Sequence, residues 1–238
     1  MKVEGRNAVA ELLKSGKRVD KILVKGDGDN TLYQIVKLAK QKGVNVHFVK
    51  NEALNRESIT QRHQGIIAIC DDYDYCLVSD ILNYAKGKEE PPFIVILDGI
   101  EDPHNFGSII RVAECMGVHG IIFGKNRACS VNETVLKTSA GAANYMHIAK
   151  VTNINQEIEE LKKQGVWVYA CELGGEDINK SRLDGDIAVV IGGEGKGVSQ
   201  LTKKLCDGIV TIPMKGKVNS LNASVAAGIS LWEVSKRR

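Results

Sequence analysis

The chain has 238 residues, of which 43% are hydrophobic and 26% charged, as in a soluble globular protein with a full-sized core. No apolar run approaches the roughly 20 residues that a membrane helix needs, so we expect no membrane-spanning segment. The net charge of +3 permits nucleic-acid binding through a local basic patch but does not argue for it.

The cysteines and the first residues indicate the compartment. Six cysteines are scattered without Cys-x-x-Cys pairs, and the stretch Met1 to Gly5 has no apolar signal region. We therefore expect a cytoplasmic protein with reduced thiols, no disulfide framework and no metal site.

The first seventy residues predict a small α/β unit. Apolar residues at helical spacing predict two helices, and three apolar runs predict strands. The helices fall near residues 8–13 and 32–39, and the strands at 21–24, 44–49 and 65–70. The segment 51–64 reads as a loop with basic and amide side chains, which either contact phosphates or are simply solvated surface.

A connector follows. Residues 71–75 are polar and acidic, a short helix is predicted near 78–86, and Pro91-Pro92 stops any regular element. We therefore predict a first domain at 1–72, a linker at 73–92 and a second domain at 93–238.

The second domain alternates between strands and helices. Continuous apolar runs suit parallel strands that are buried on both faces. These runs are residues 93–97, 120–123, 166–170, 187–191 and 208–212, and helical patterns cover 108–116, 132–140, 154–163, 199–205 and 220–234. The alternation predicts a doubly wound parallel α/β sheet, in which ligands bind at the carboxyl ends of the strands. Three polar loops after strands are therefore candidate sites.

The first candidate loop follows Leu97. Asn105 is placed to cap the next helix, and Arg111 lies on a stripe that points away from the core. A solvated surface charge is the alternative reading of Arg111.

The second candidate loop is the glycine-rich run from Gly192 to Gly197. Its spacing fits neither a Walker phosphate loop nor a Rossmann dinucleotide loop. What remains is a turn that lets backbone approach a ligand closely. Its one anion, Glu194, could accept hydrogen bonds from a cationic or amine-bearing partner, or could pin Arg111.

The third candidate loop follows a strand that stops at Pro213. Ser220 and Asn222 then open a helix of mostly small residues, and its free N–H groups suit a polar or anionic ligand. An ordinary capped helix is the alternative. An apolar stripe is predicted along this helix, formed by Leu221, Val225, Ile229 and Trp232.

Together the three loops resemble the SpoU (TrmH) branch of the SPOUT RNA methyltransferases. The residues that carry the resemblance are Asn105-Phe106-Gly107 with Arg111, Ile191 to Gly197, and Ile212-Pro213-Met214 with Ser220 to Ser224. The stretch Val3 to Val9 and the pattern after it are similar to the substrate-binding domain of that family, which resembles ribosomal protein L30e. Within this family, the chain resembles the bacterial enzymes that methylate a guanosine ribose in 23S ribosomal RNA.

The resemblance implies several further properties. The sheet would end in a C-terminal trefoil knot that binds S-adenosylmethionine, and the protein would be a homodimer that acts on ribosomal RNA. The resemblance assigns cofactor binding to Gly192, Gly193, Ile212, Met214 and Leu221. It assigns catalysis and substrate ordering to Asn105, Arg111, Glu194, Ser220 and Asn222.

The role of Arg111 has two versions. The family is often described with this arginine as general base, but a guanidinium with a pKa above about 12 is a poor proton acceptor. We prefer an electrostatic clamp that stabilises a developing alkoxide and holds phosphate. Two other functions remain open, namely transfer to a tRNA ribose and a non-catalytic RNA-binding module.

Overall fold

The structure is a computed structural model that describes residues 2–14, 19–26, 29–58, 62–70 and 73–238. The chain divides after Asp74 into two compact units. Each unit has its own sheet. In the described residues, no helix combines the length and the apolar character that crossing a membrane requires.

The first unit is a small α/β unit, as predicted, but its sheet has four strands where the sequence predicts three. Its strands are β1 (Lys2–Glu4), β2 (Lys21–Lys25), β3 (Asn45–Val49) and β4 (Ile66–Ile69), and its helices are α1 (Arg6–Lys14), α2 (Asn30–Gln41) and α3 (Asn51–Glu57). The sheet order is β1-β4-β2-β3, in which only β2 and β3 pair in parallel. The apolar stripes of α1 and α2, including Val9 and Leu32, pack with Ile22 and Ile66. Helix α3 occupies part of the segment that the sequence predicts to be a loop.

Most of the predicted linker belongs to the second unit. It contains helix α4 (Val78–Gly87), in which Ile81 and Ala85 are fully buried. Ile81 packs in one cluster with Ile94 and Ile122 of the sheet. The buried side chains of Ile81 and Ala85 therefore anchor α4 to the core of the second unit. The double proline marks only the start of the next strand.

The second unit is a six-stranded parallel sheet flanked by helices. Its strands are β5 (Phe93–Asp98), β6 (Gly120–Gly124), β7 (His147–Val151), β8 (Trp167–Asp177), β9 (Ile187–Gly192) and β10 (Gly208–Thr211). Its helices after α4 are α5 (Pro103–Cys115), α6 (Glu133–Thr138), α7 (Ile154–Lys163), α8 (Gln200–Leu205) and α9 (Ala223–Ser235), with a 3-10 turn at Ala142–Asn144. The sheet order is β10-β8-β9-β5-β6-β7. The continuous apolar runs thus form the predicted parallel sheet, whereas the knot stays a prediction.

Strand β7 is absent from the sequence prediction because a lysine interrupts its apolar run. Lys150 is nonetheless only 5% exposed. Its Nζ donates to Ser130 Oγ at 2.8 Å and lies 5.5 Å from the centre of the Tyr75 ring. A hydrogen bond and an aromatic face stabilise this charge inside the unit, and the strand forms around it.

Helix α9 packs on α5 through small residues, as the composition of the helix predicts. Ala223 and Ala227 are buried, and an added Cβ at Gly228 would lie 3.8 Å from Val112 Cγ1. The predicted apolar stripe of α9 does not face this core. Its four members, Leu221, Val225, Ile229 and Trp232, are 38%, 49%, 39% and 54% exposed.

Candidate active site

Three side chains from the three predicted loops meet at one edge of the parallel sheet. Asn105 Nδ2 donates to Glu194 Oε1 at 2.8 Å, and Asn222 Nδ2 donates to the same oxygen at 3.0 Å. Asn222 Nδ2 also lies 3.0 Å from Asn105 Oδ1 and donates to it. We call these three side chains the polar wall. They are brought together because β5 and β9 are neighbours that end side by side, with Asp98 opposite Gly192.

Asn105 reaches the wall from inside its helix and does not cap it. The N-cap of α5 is Asp102, whose Oδ1 accepts from His104 N at 3.1 Å, and Pro103 occupies the first turn. The prediction that Asn105 caps the helix is therefore wrong, because Asp102-Pro103 already supplies the cap and the fixed φ of a helix start. Asn105 is 5% exposed, and its amide is free to bond across to the second and third loops.

Asn222 has two roles in the wall. It is the N-cap of α9, and its Oδ1 accepts from Ser224 N at 2.9 Å and from Val225 N at 3.3 Å. These bonds fix the orientation of the amide, so that Nδ2 is the atom that donates to Glu194. The predicted cap is confirmed, although the helix begins at Ala223 and leaves Ser220 in the loop.

The glycine-rich loop holds Glu194 close to the neighbouring backbone. Gly193 N donates to Asp98 O at 2.9 Å, and Val198 N donates to Glu172 Oε2 at 2.9 Å. An added Cβ at Gly193 would lie 2.0 Å from Gly99 O, and one at Gly192 would lie 2.1 Å from Gly197 C. No larger residue fits at either position without moving backbone, so the sequence requirement for glycine here is steric.

A cleft of about 590 Å³ opens on one side of the polar wall. All five residues to which the resemblance assigns cofactor binding line it, namely Gly192, Gly193, Ile212, Met214 and Leu221. Cys171, Glu172 and Leu173 also line the cleft, and sequence reasoning missed them. The rule that ligands bind at strand carboxyl ends could have found them, since they follow the predicted strand end at Ala170.

A second cleft, of about 430 Å³, shares the wall residue Glu194 with the first and is also lined by Asn105. Its other side carries Glu101 and Arg127. Among the described residues, neither of these two side chains has a hydrogen-bond or ion-pair partner. The uncommitted anion of Glu101 and the uncommitted cation of Arg127 therefore lie in one cleft with Glu194 of the polar wall, and Lys196 adds a second cation.

The two remaining predicted catalytic residues lie differently. Ser220 is exposed and lines the first cleft. Arg111 is exposed on α5 and lines neither cleft. It follows Asn105 by six residues, which corresponds to about 9 Å along a helix. Within a single chain, the structure does not bring Arg111 to the polar wall.

The thiol in the first cleft is a poor nucleophile. Burial raises the pKa of Cys171, and Ser230 Oγ donates to its sulfur at 3.1 Å. The thiol therefore stays protonated at neutral pH and forms a small, weakly polar part of the lining of the first cleft.

The two units match two protein families in the order in which they occur. Residues 92–232 match the SpoU rRNA Methylase family, and residues 2–76 match the family described as RNA 2'-O ribose methyltransferase substrate binding. The fold, the three-loop site and these matches define an RNA methyltransferase with its own substrate-binding unit. In particular, the chain belongs to the SpoU (TrmH) family of methyltransferases.

Individual relatives span the whole chain or only part of it. The chain is 41% identical over 242 residues to YacO of Bacillus subtilis, assigned to the TrmH family of tRNA/rRNA methyltransferases, covering 99% of this chain and 95% of YacO. An AdoMet-bound rRNA methyltransferase from Sinorhizobium meliloti covers 99% of this chain at a TM-score of 0.60 and 22% identity, with 86% of its own chain matched. The TrmH/SpoU tRNA modifying enzyme of A. aeolicus covers 67% of this chain and 83% of its own, at a TM-score of 0.58 and 26% identity.

Proposed function

We propose that this protein transfers the methyl group of S-adenosylmethionine to the ribose 2′-hydroxyl of a guanosine in 23S ribosomal RNA. The observation that carries the proposal is the polar wall, in which Asn105, Glu194 and Asn222 from three loops join two adjacent clefts. One cleft would hold the methyl donor and the other the nucleoside that accepts the methyl group.

The first cleft fits S-adenosylmethionine. Its volume is within the roughly 300–1,000 Å³ of small-ligand sites, and its lining mixes apolar side chains with backbone of the glycine loop. Ile212, Met214 and Leu221 offer apolar contacts for a purine ring, and Gly192 lets backbone approach closely. When bound, the cofactor supplies an activated methyl group on a sulfonium.

The polar wall would position the ribose. Glu194 accepts two hydrogen bonds through Oε1, and within the described residues its Oε2 has none. That oxygen is available to accept from a ribose hydroxyl, while the two amides hold the carboxylate in place. Ser220, at the rim of the first cleft, would order the same substrate. Alignment of hydroxyl and methyl group contributes several kcal/mol in favourable cases, up to about 7–11.

The second cleft suits guanine. A carboxylate accepts from the N1–H and N2–H groups of guanine, and an arginine donates to its O6 and N7. Glu101 and Arg127 bring these two groups to one cleft, beside the wall that would hold the ribose. This pair supports guanosine as the target nucleoside.

A second copy of the chain would complete the site. The exposed apolar residues run from Leu221, which lies just before α9 and lines the first cleft, along the helix to Trp232. An apolar stripe of this kind suits a two-fold contact in which each copy buries the same surface. Because α9 packs on α5, such a contact would also bring the exposed Arg111 of one copy near the interface. We therefore propose that Arg111 acts in the homodimer, as a clamp on the developing alkoxide or the adjacent phosphate.

The length of the matches favours ribosomal RNA over tRNA. The rRNA methyltransferase of Sinorhizobium meliloti matches along nearly the whole chain. The tRNA modifying enzyme of A. aeolicus matches about two thirds, close to the share that the second unit occupies. A substrate-binding unit that accompanies the methyltransferase unit therefore supports a large structured RNA as substrate.

The test is methyl transfer from radiolabelled S-adenosylmethionine to naked ribosomal RNA, tRNA and assembled ribosomal subunits, with the modified nucleotide mapped. We expect one 2′-O-methylated guanosine in 23S ribosomal RNA. Label in tRNA alone would show that the substrate is tRNA and not ribosomal RNA, and methyl transfer would remain the reaction. Failure to bind S-adenosylmethionine by calorimetry, together with retained RNA binding, would contradict the enzyme and favour a non-catalytic module. An Asn222→Ala variant is the control for label that does not depend on the polar wall.

A further inference from the structure

The first unit contains a third cleft, which the methyl-transfer proposal does not use. It has a volume of about 900 Å³ and is mostly polar. Its lining consists of Arg6, Asn7, Lys25, Asp29, Leu32, Asn51, Asn55, His63, Gln64 and Gly65. We call it the amide cleft, because four of these ten residues carry carboxamides.

Two distant segments of the chain are tied together at this cleft. Gln64 Oε1 accepts from Arg6 N, and Gln64 O accepts from Arg6 Nε, both at 3.1 Å. Arg6 Nη1 also donates to Asp29 Oδ2 at 2.6 Å. Gln64 has a φ of 50°, a left-handed conformation that is uncommon outside glycine. This strained position holds the glutamine against Arg6, and a strained residue at a cleft is a reason to consider a function.

The floor of the cleft is a buried histidine with both ring nitrogens engaged. His63 is 7% exposed, its Nδ1 accepts from Gly65 N at 3.0 Å, and its Nε2 lies 2.8 Å from Asn55 Oδ1. Because Nδ1 accepts, Nε2 carries the proton and donates to Asn55. The cleft therefore has a fixed set of donors and acceptors.

The side chains of the cleft suit a nucleotide. Carboxamides pair with the donor and acceptor edges of bases, and Leu32 is the one apolar residue among those that line it. Two cations are present, Arg6 and Lys25, and the one carboxylate, Asp29, is paired with Arg6. Cations among amide side chains suit contact with a phosphate. Sites for apolar small molecules are instead lined mostly by hydrophobic side chains.

We propose that the amide cleft recognises an unpaired nucleotide of the substrate RNA, other than the nucleotide that is methylated. The amides read the edge of the base, and Lys25 contacts the backbone phosphate. Sequence-specific RNA recognition acts mainly on such unstacked bases. The proposal rests on the proposed function for the identity of the RNA and adds the site at which the first unit selects it.

The test compares variants of the full-length protein in binding a 23S ribosomal RNA transcript and poly(U). Asn7→Ala removes an exposed amide of the cleft. Its matched control is Gln41→Ala, an exposed amide at the far end of α2, about 18 Å along that helix from Asp29. Lys25→Gln removes the charge, and Lys42→Gln is its control.

We expect Asn7→Ala to raise the Kd for the transcript roughly fivefold or more, the loss of a good base contact, with little change for poly(U). Lys25→Gln should weaken binding to both RNAs and reduce the salt dependence by about one phosphate contact. The two controls and the affinity for S-adenosylmethionine should not change.

Two outcomes would overturn the amide cleft as a recognition site. One is a transcript Kd for Asn7→Ala within twofold of Gln41→Ala, and the other is equal weakening on transcript and poly(U). Binding is measured without methyl transfer, so either result can occur while the wild-type enzyme methylates ribosomal RNA. Absence of methyl transfer by the wild type would instead contradict the proposed function.

Discussion

The two roles of Asn222 can be separated by substitution. Asn222→Ala removes both the cap of α9 and the two bonds to the polar wall, whereas Asn222→Ser keeps a good N-cap and removes only the wall bonds. Loss of an N-cap costs about 1 kcal/mol, which lowers Tm by about 2–4 °C in a protein of this size. A hydrogen bond to a charged group contributes about 1.5–3 kcal/mol, and the exposure of Glu194 favours the lower value. That value corresponds to roughly a tenfold change in rate.

We therefore expect both variants to lose at least about tenfold in single-turnover methyl transfer at saturating cofactor and RNA, while only Asn222→Ala melts earlier. The rate and thermal unfolding are measured on the same preparations. A wild-type rate for Asn222→Ser would remove the amide from the active site. Equal Tm values for the two variants would show that the Oδ1 contacts to Ser224 and Val225 do not stabilise α9.

Three further predictions concern other parts of the second unit. Arg111→Lys should lower kcat at least about tenfold, because lysine lacks the guanidinium fork; near-full turnover would exclude both the base and the clamp. Trp232→Glu should convert a dimer into monomers in sedimentation and abolish methyl transfer, whereas a wild-type monomer would refute the proposed interface. Burial lowers the pKa of His119, so the unfolded chain takes up its proton first and the free energy of unfolding falls as pH drops below about 6.5. His119→Asn should flatten this slope in urea unfolding between pH 7.5 and 5.5, and an unchanged slope would assign it to other groups.

Local patterns predicted the elements well where one physical cause dominates. A short apolar run rich in β-branched residues, such as Ile187–Gly192, favours a buried strand, and Asn222 before a run of small residues is an ordinary helix start. Strand β7 was not predicted, because the burial of Lys150 depends on Ser130 and Tyr75, which are distant in sequence. No residue within five positions of Lys150 indicates that its charge is stabilised by a partner inside the fold.

The apolar stripe of α9 shows what periodicity leaves open. Val225, Ile229 and Trp232 are spaced to share one face of α9, whereas Leu221 lies just before the helix. Spacing cannot say whether that face meets the core of its own chain or another surface. The core contact of the helix is made by Ala223, Ala227 and other residues on a different face. Arg111 was likewise predicted correctly as a residue that points away from the core, yet that direction alone does not place it in a site.

The polar wall depends on the whole second sheet, because its members are 28, 89 and 117 residues apart in sequence. Two of them are held by roles that do not need a ligand: Asn105 is buried in the first turn of α5, and Asn222 caps α9. Both amides are therefore oriented before substrate arrives, as preorganised electrostatic stabilisation requires. Glu194 differs, since it is an exposed side chain on a loop that Gly193 and Val198 hold through backbone N–H groups. If one member of the wall adjusts when cofactor and RNA bind, it is this carboxylate, and the two fixed amides determine where it can go.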